Sequence, residues 1–498
     1  MSTRDGTARG GPSAPQTALK ALLKDKHLRS YRRFRHAYQE AARTLDRSAA
    51  GTYPSEATYK RWLTGQVKVL PREEHCAVLE AMFPGWTTAD LLKPRAPQRD
   101  NSPMTVSKRV SINQSASPES ASKGNATEYA TSLIRNFGLR YAPCLKEAVS
   151  TLELFIELDS SRESTSIRDK PSEDASNAAA LEWLVGRTDA DAYEPEPSGA
   201  ALRDDEVQEI ITTTAAFDQL DRRVGGGFSR NLAVEYLQDR VIPRAHRSCR
   251  PDLRREFFQA ASVLCELIGY MAFDTERHSL AQGYFIQALR FAKEAGNSAY
   301  GAYVLASLSN QAMYVNNTPQ ALRMARAARE GYKGSLVPAV PTEAAFLEAT
   351  AHSIMGDKSS CMRSLREAEN SFNRTESEPP YWATHWSSGI FASFMGGCWL
   401  NLGDARTARP YLESAWQELD NQTRRTVFSA GQLTRLNLLE GNLEEAASYA
   451  VQAAHAARNA KSQRSIKVIR ELENALEVHK SHSCVRDFTE LAAMALKN

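Results

Sequence analysis

The chain has 498 residues, 42% hydrophobic and 24% charged, with a net charge of +3. That length is too great for a single core and predicts two to four domains. No apolar run reaches the roughly 18 residues of a membrane-spanning helix, and the first residues, M-S-T-R-D-G-T-A-R-G-G-P-S, lack the apolar centre of a secretory signal, so membrane insertion and export are not expected.

The charge is uneven. Residues 1–100 hold 18 Lys/Arg against 10 Asp/Glu, a net of +8, and the remainder holds 44 against 49, a net of −5. A polyanion partner is therefore expected at the front of the chain only. Residues 1–16 read as a disordered tail. Residues 17–93 read as a small helical domain made of T-A-L-K-A-L-L-K-D, S-Y-R-R-F-R-H-A-Y-Q-E-A-A-R-T-L, S-E-A-T-Y-K-R-W-L-T-G, P-R-E-E-H-C-A-V-L-E-A-M-F and T-A-D-L-L. In the third piece Ser55 follows Pro54 as an N-cap candidate, and Gly65 ends the helix. Tyr59, Trp62 and Leu63 share one face and anchor it. The other face carries Glu56, Ala57, Thr58, Lys60 and Arg61: short or hydrogen-bonding groups at a helix tip that a major groove accepts, with basic residues behind them for phosphates. On the next helix Cys76 is expected to face the core and His75 to be exposed.

Residues 94–127 are rich in Ser, Pro and Asn and read as a flexible linker. Residues 128–250 read as a helical connecting region with a disordered insertion near 159–180 and a second polar stretch at 191–199. The run Gly225-Gly226-Gly227 has no preceding strand and no G-K-[ST], so it reads as a helix-ending turn and not a phosphate loop. No stretch of alternating strand is evident, and the fold class is all-α.

From 251 to 460 the chain repeats. Ala281, Phe285 and Ala288 lie four and three apart, on one helical face. The same spacing returns at Ala321, Ala325, Ala328; at Cys361, Leu365, Ala368; at Ala408, Leu412, Ala415; and at Ala446, Ala450, Ala453. Twelve residues before each trio stands Gly269, Ser309, Ala349, Gly396 or Thr434. Five residues before each stands a turn position: Glu276, Asn316, Gly356, Gly403 or Gly441. This is the pattern of a helical hairpin in which a small residue lets two helices approach and the stripe fills the groove. Residues 461–498 read as capping helices. There, H-K-S-H-S-C fits no standard zinc spacing and reads as a polar turn.

Seven scattered cysteines without a C-x-x-C fit a reduced, cytoplasmic protein. No Ser-His-Asp or paired-carboxylate constellation has local support. An enzyme is not expected, nor a cofactor or metal. The inner face of stacked hairpins places Tyr270, Tyr303, Asn310, Tyr314, Thr350 and Arg435 as candidate groups for a peptide or protein partner.

Two resemblances follow from these residues. The segment S-E-A-T-Y-K-R-W-L-T-G resembles the recognition helix and exit turn of phage-repressor-like (Xre-type) helix-turn-helix regulators. The resemblance implies that Ser55 is the cap, that Glu56 and Ala57 read bases, and that Thr58 and Arg61 contact the groove or backbone. Tyr59 and Trp62 then take core positions, and Tyr31 stands where that family commonly has a DNA-contacting Gln. Arg32, Arg33, Arg35, Lys60 and Lys68 are expected to neutralise phosphates. The join between the two helices exceeds the usual three-to-four-residue turn, so an enlarged loop is expected. The repeats resemble tetratricopeptide repeats, with a longer period of 38 to 47 residues and without the early large aromatic. A basic Xre-like head, a Ser-rich linker and such a body together resemble actinobacterial-type transcriptional regulators. The resemblance implies a homodimer on double-stranded DNA whose body senses a signal or partner. The alternative is a repeat adaptor whose basic head never touches DNA.

Overall fold

The computed structural model describes residues 16–25, 28, 30–45, 53–64, 67, 70–83, 87–95, 138–159, 170–186, 200–333, 337–374, 379–384, 386–419 and 423–496. The N-terminal tail and the Ser-rich linker beyond residue 95 lie outside them. Contacts divide the chain into two units, residues 1–115 and 116–498.

In the front unit the expected helices form: α1 (Ala18–Asp25), α2 (Tyr31–Leu45), α3 (Glu56–Thr64), α4 (Glu73–Met82) and α5 (Thr88–Leu92). An antiparallel pair of two-residue strands, β1 (Gln16–Thr17) and β2 (Pro94–Arg95), brings the ends of the unit together. Pro94 and Arg95, expected at the start of the linker, thus pair with the start of this unit as a short strand. The core is aromatic and aliphatic. Phe34 and Tyr38 of α2, Tyr59 and Trp62 of α3 and Leu79 of α4 are buried with Leu19, Leu23 and Leu91. Each such side chain contributes about 1.5–3 kcal/mol on leaving water.

In the second unit α6 (Leu145–Asp159) and α7 (Glu173–Val185) precede α8 (Asp204–Val224) and α9 (Gly226–Tyr236), which runs on through a wide turn to α10 (Ile242–Ala245). The insertion expected near 159–180 is contradicted at both ends. Asp159 is fully buried, accepting from Arg230 at 2.5 Å and from the Tyr284 hydroxyl at 2.9 Å. Residues 173–180 are helical, capped by Ser172, whose N–H and carbonyl both bond the Gln282 amide. Trp183 is keyed against Gly301 and Gly331, where a Cβ would come within 2.3 and 2.0 Å of its ring. The polar composition of this stretch hid a helix whose apolar groups are few but deeply placed.

Five helical hairpins follow: α11 (Pro251–Asp274) with α12 (His278–Glu294), α13 (Ser298–Tyr314) with α14 (Thr318–Gly331), α15 (Ala339–Ile354) with α16 (Lys358–Phe372), α17 (Ser388–Asn401) with α18 (Ala405–Gln417), and α19 (Thr423–Glu440) with α20 (Leu443–Ala457). All fifteen stripe residues are at most 3% exposed. All five turn positions have positive φ: Glu276 at 60°, Asn316 at 61°, Gly356 at 74°, Gly403 at 76° and Gly441 at 80°. Each allows the next residue's N–H to reach back five residues, as from Asp357 to the His352 carbonyl at 2.9 Å. That left-handed residue closes the first helix, and Asn317, Asp357 and Asp404 then cap the second. The small positions permit close approach: a Cβ on Gly269 would lie 2.8 Å from Phe285, and one on Gly396 2.5 Å from Leu412.

The end of the array returns to its beginning. After α20 come α21 (Gln463–Leu476) and α22 (Ser483–Ala495). The Lys461 N–H donates to the Val224 carbonyl at 2.7 Å, and its carbonyl accepts from Gly227. The three-glycine run is a helix-ending turn, with Gly225 at φ 105°, and its lack of side chains lets the 461 backbone pass. Asp274, fully buried, takes Arg464 at 2.8 Å, Arg424 at 3.1 Å, the Ser462 hydroxyl and the Gly226 N–H. Burial pushes this carboxyl up, but Arg424 and Arg464 outweigh it and hold it at about 2. No helix among the described residues is long and apolar enough to cross a membrane.

Candidate nucleic-acid interface and inner helix face

Two aromatic contacts set the attitude of α3. Phe34 of α2 stacks on Tyr59 with centroids 4.5 Å apart, and Trp62 stands edge-on to Phe34 at 6.3 Å. Three hydrogen bonds pin its backbone and rim: Tyr31 hydroxyl to Pro54 carbonyl at 2.7 Å, Tyr59 hydroxyl to Leu28 carbonyl at 3.2 Å, and Thr17 hydroxyl to Trp62 carbonyl at 3.0 Å. Ser55 caps the helix, its Oγ accepting from the Thr58 N–H at 3.2 Å. Leu63 is half-buried against the same cluster. The opposite face is open. Ser55, Glu56, Ala57, Lys60 and Arg61 are exposed, and Thr58 is partly so. Lys60 is 70% exposed and pairs with Glu56 at 2.7 Å along the helix. Arg61 folds back on the Thr58 hydroxyl at 3.2 Å and the Ala57 carbonyl at 3.4 Å. Neither base turns inward. Their partners are surface groups of the same helix, bonds worth a few tenths of a kcal/mol and easily exchanged for a phosphate (about 0.2–0.5 kcal/mol for an i,i+4 pair).

On α2, Arg32 is exposed, and Arg33 and Arg35 are half-exposed, with Arg35 lying over the Tyr53 ring at 4.9 Å. Tyr31 is half-buried, and its hydroxyl proton goes to Pro54, so it serves the joint between α2 and α3. Across the long join expected between the two helices, this hydrogen bond and the Phe34–Tyr59 stack hold Pro54 and α3 against α2. Lys68 lies outside the described residues. His75 differs from expectation. It is half-buried, with Nδ1 2.5 Å from the Tyr38 hydroxyl and its ring edge-on to Trp62, and burial lowers its pKa. Cys76 is half-buried, and its thiol donates to the Pro71 carbonyl.

The groove residues of the second unit are largely occupied by the chain itself. Arg464 of α21 lies 4.8 Å over the Tyr270 ring, and Lys467 lies 4.0 Å over Tyr314 and donates to its carbonyl. Tyr314 in turn donates to Glu276 at 2.9 Å. An open groove at Tyr270 and Tyr314 is therefore contradicted: the array turns far enough for its last helices to cover its first. Thr350 donates back to the Phe346 carbonyl of its own helix, and Arg435 reaches Asn401 from the surface.

Tyr303 and Asn310 do converge, with groups the sequence did not single out. Asn310 donates to Glu343 Oε1 at 3.3 Å and Trp386 to Oε2 at 3.4 Å. Ser307 donates to Glu266 at 2.7 Å. Arg222 of α8 faces the same groups, held by Asp218 at 2.7 Å. Burial pushes Glu266 up to about 8 and Glu343 to about 7. The sequence offered no local support for a carboxylate pair, and these two acids come within electrostatic reach of one another only through the stacking of hairpins. The signal was a lone acid inside each apolar run, L-C-E-L-I and P-T-E-A-A, 77 residues apart and unreadable as a pair before the hairpins stack. No group of three or more metal-ligating side chains forms among the described residues, and His479 and His482 sit in a turn with rings 6.0 Å apart. No family model matches the chain, and no curated protein is significantly similar to it.

Proposed function

We propose that the protein is a DNA-binding transcriptional regulator, with an Xre-like front unit and a tetratricopeptide-like body that senses a ligand or partner. The observation that carries this reading is the division of α3. Its apolar side is consumed by Phe34, Tyr38 and the core, while its capped N-terminal turn presents Glu56, Ala57, Lys60 and Arg61 to solvent beside the basic α2. A helix needs only the first side to fold. The second side suits a major groove, with Glu56 and Ala57 at base edges and Arg61, Lys60, Arg32, Arg33 and Arg35 near phosphates. Two copies would read half-sites about 34 Å apart on one face of the duplex. Selection of duplexes from a randomised pool by the full chain tests this. A recovered motif with dyad symmetry supports it; recovery no better than an unselected pool favours the adaptor reading, in which the basic unit docks an acidic protein.

A further inference from the structure

Among the described residues of the second unit seven acidic side chains are buried: Asp159, Asp221, Glu266, Asp274, Glu294, Glu343 and Glu348. Five are paired with arginine: Asp159 with Arg230, Asp221 with Arg424, Asp274 with Arg464, Glu294 with Arg290 and Glu348 with Arg329. Glu266 and Glu343 are the exceptions. Among the described residues they receive only neutral donors, from Ser307, Asn310 and Trp386. The cation that faces them, Arg222, is engaged by Asp218. A buried carboxylate without a cation is costly, and the other five described buried acids each have one.

A second observation comes from the same place. Tyr300 is fully buried, and its hydroxyl has no hydrogen-bond partner. Its ring packs on Trp382 at 4.9 Å and Tyr303 at 5.8 Å, and its hydroxyl lies within electrostatic reach of Glu266, Tyr303 and Tyr381. Aromatic faces beside unpaired carboxyls are the surroundings in which an organic cation is held, by ring quadrupoles and by charge.

We infer that the inner face of the first three hairpins binds an organic ammonium group, held between the Glu266 and Glu343 carboxylates and the rings of Tyr303 and Trp382. The inference rests on the reading of this body as a ligand sensor and names the chemistry it recognises. The ammonium supplies the cation the fold withholds, beside the Tyr300 hydroxyl, which lies within electrostatic reach of Glu266. The α21 helix, with Arg464 and Lys467 over Tyr270 and Tyr314, covers the neighbouring length of the groove and favours a short ligand.

The test is calorimetric titration of the full chain with putrescine and with the peptide Gly-Lys-Gly, against 1,4-butanediol and succinate as uncharged and anionic controls. Saturable binding of an amine is expected, weakened about tenfold or more by Glu343→Gln and by Glu266→Gln. The exposed Glu445→Gln should leave it unchanged. The tighter of the two amine probes identifies the source, metabolite or peptide. Circular dichroism and thermal melts establish that the isosteric variants fold. No saturable amine binding, equal binding of butanediol, or unchanged affinity in both glutamine variants overturns the site. Duplex binding by the same protein is measured with no amine present, so failure of this site and failure of the regulator reading are separate results.

Discussion

Replacing Asp274 with Asn should open the ring that the second unit makes of itself. Asp274 is fully buried between Arg424 and Arg464, each only 12–13% exposed, and ties the end of the array to its first hairpin beside the Lys461 backbone bonds. Its carboxyl is held below an ordinary 3.8, at about 2, by the two guanidiniums, which corresponds to roughly 2–3 kcal/mol of native-state stabilisation at neutral pH. Asn keeps an acceptor for Ser462 or Gly226 but leaves the buried Arg464 guanidinium without its carboxylate and Arg424 with Asp221 alone, so the loss should reach about 3–5 kcal/mol. Urea unfolding at pH 7, followed by tryptophan fluorescence, measures it. A depressed carboxyl gives stability that is complete above its unfolded pKa and is lost as pH falls through the folded one. The gap between wild type and Asp274→Asn should therefore narrow between about pH 4 and pH 2. Amide exchange should accelerate first at Gly226 and along α21. A variant within about 1 kcal/mol of wild type at pH 7, or a gap that does not change over that acid range, refutes the assignment of this cluster as the clasp.

Further outcomes follow from single positions. Arg61→Ala should weaken binding to all duplexes alike and reduce the salt slope by about one, whereas Glu56→Ala should relax preference at one base pair by about 1–3 kcal/mol in competition assays. Tyr31→Phe removes the bond to Pro54 and should destabilise the front unit by about 1 kcal/mol in thermal melts, without changing duplex affinity. Gly396→Ala places a methyl 2.5 Å from Leu412 and should cost about 1–3 kcal/mol. Combining it with Leu412→Ala should cost less than the two changes summed, because the smaller side chain relieves the clash.

Much of this fold was legible because its rules are local. The four-then-three stripe, the small residue twelve positions earlier and the turn residue between them each respond to one constraint: two helices touching closely across a left-handed turn. Even Glu276 and Asn316, which are not glycine, took the left-handed position their place in the repeat demanded. In the front unit Tyr59 and Trp62 announced the buried side of α3, and the residues between them the open one. What was not legible depended on distant parts of the chain meeting. Nothing near Asp274 points to Arg464, 190 residues on, and nothing near Tyr314 says that Lys467 will cover it. Glu266 and Glu343 looked like stray charges until the hairpins placed them on one inner face. Helix α7 was misread because Gln282 and the glycines that receive Trp183 belong to other helices.

The most direct test of the central claim is chromatin footprinting of the full chain beside a variant carrying Lys60→Ala and Arg61→Ala. The account predicts discrete protected sites with dyad symmetry for the intact protein and their loss in the variant, while the variant's amine binding and melting of the second unit stay unchanged. Protection indistinguishable from background in the intact protein, or sites fully retained by the variant, would contradict it.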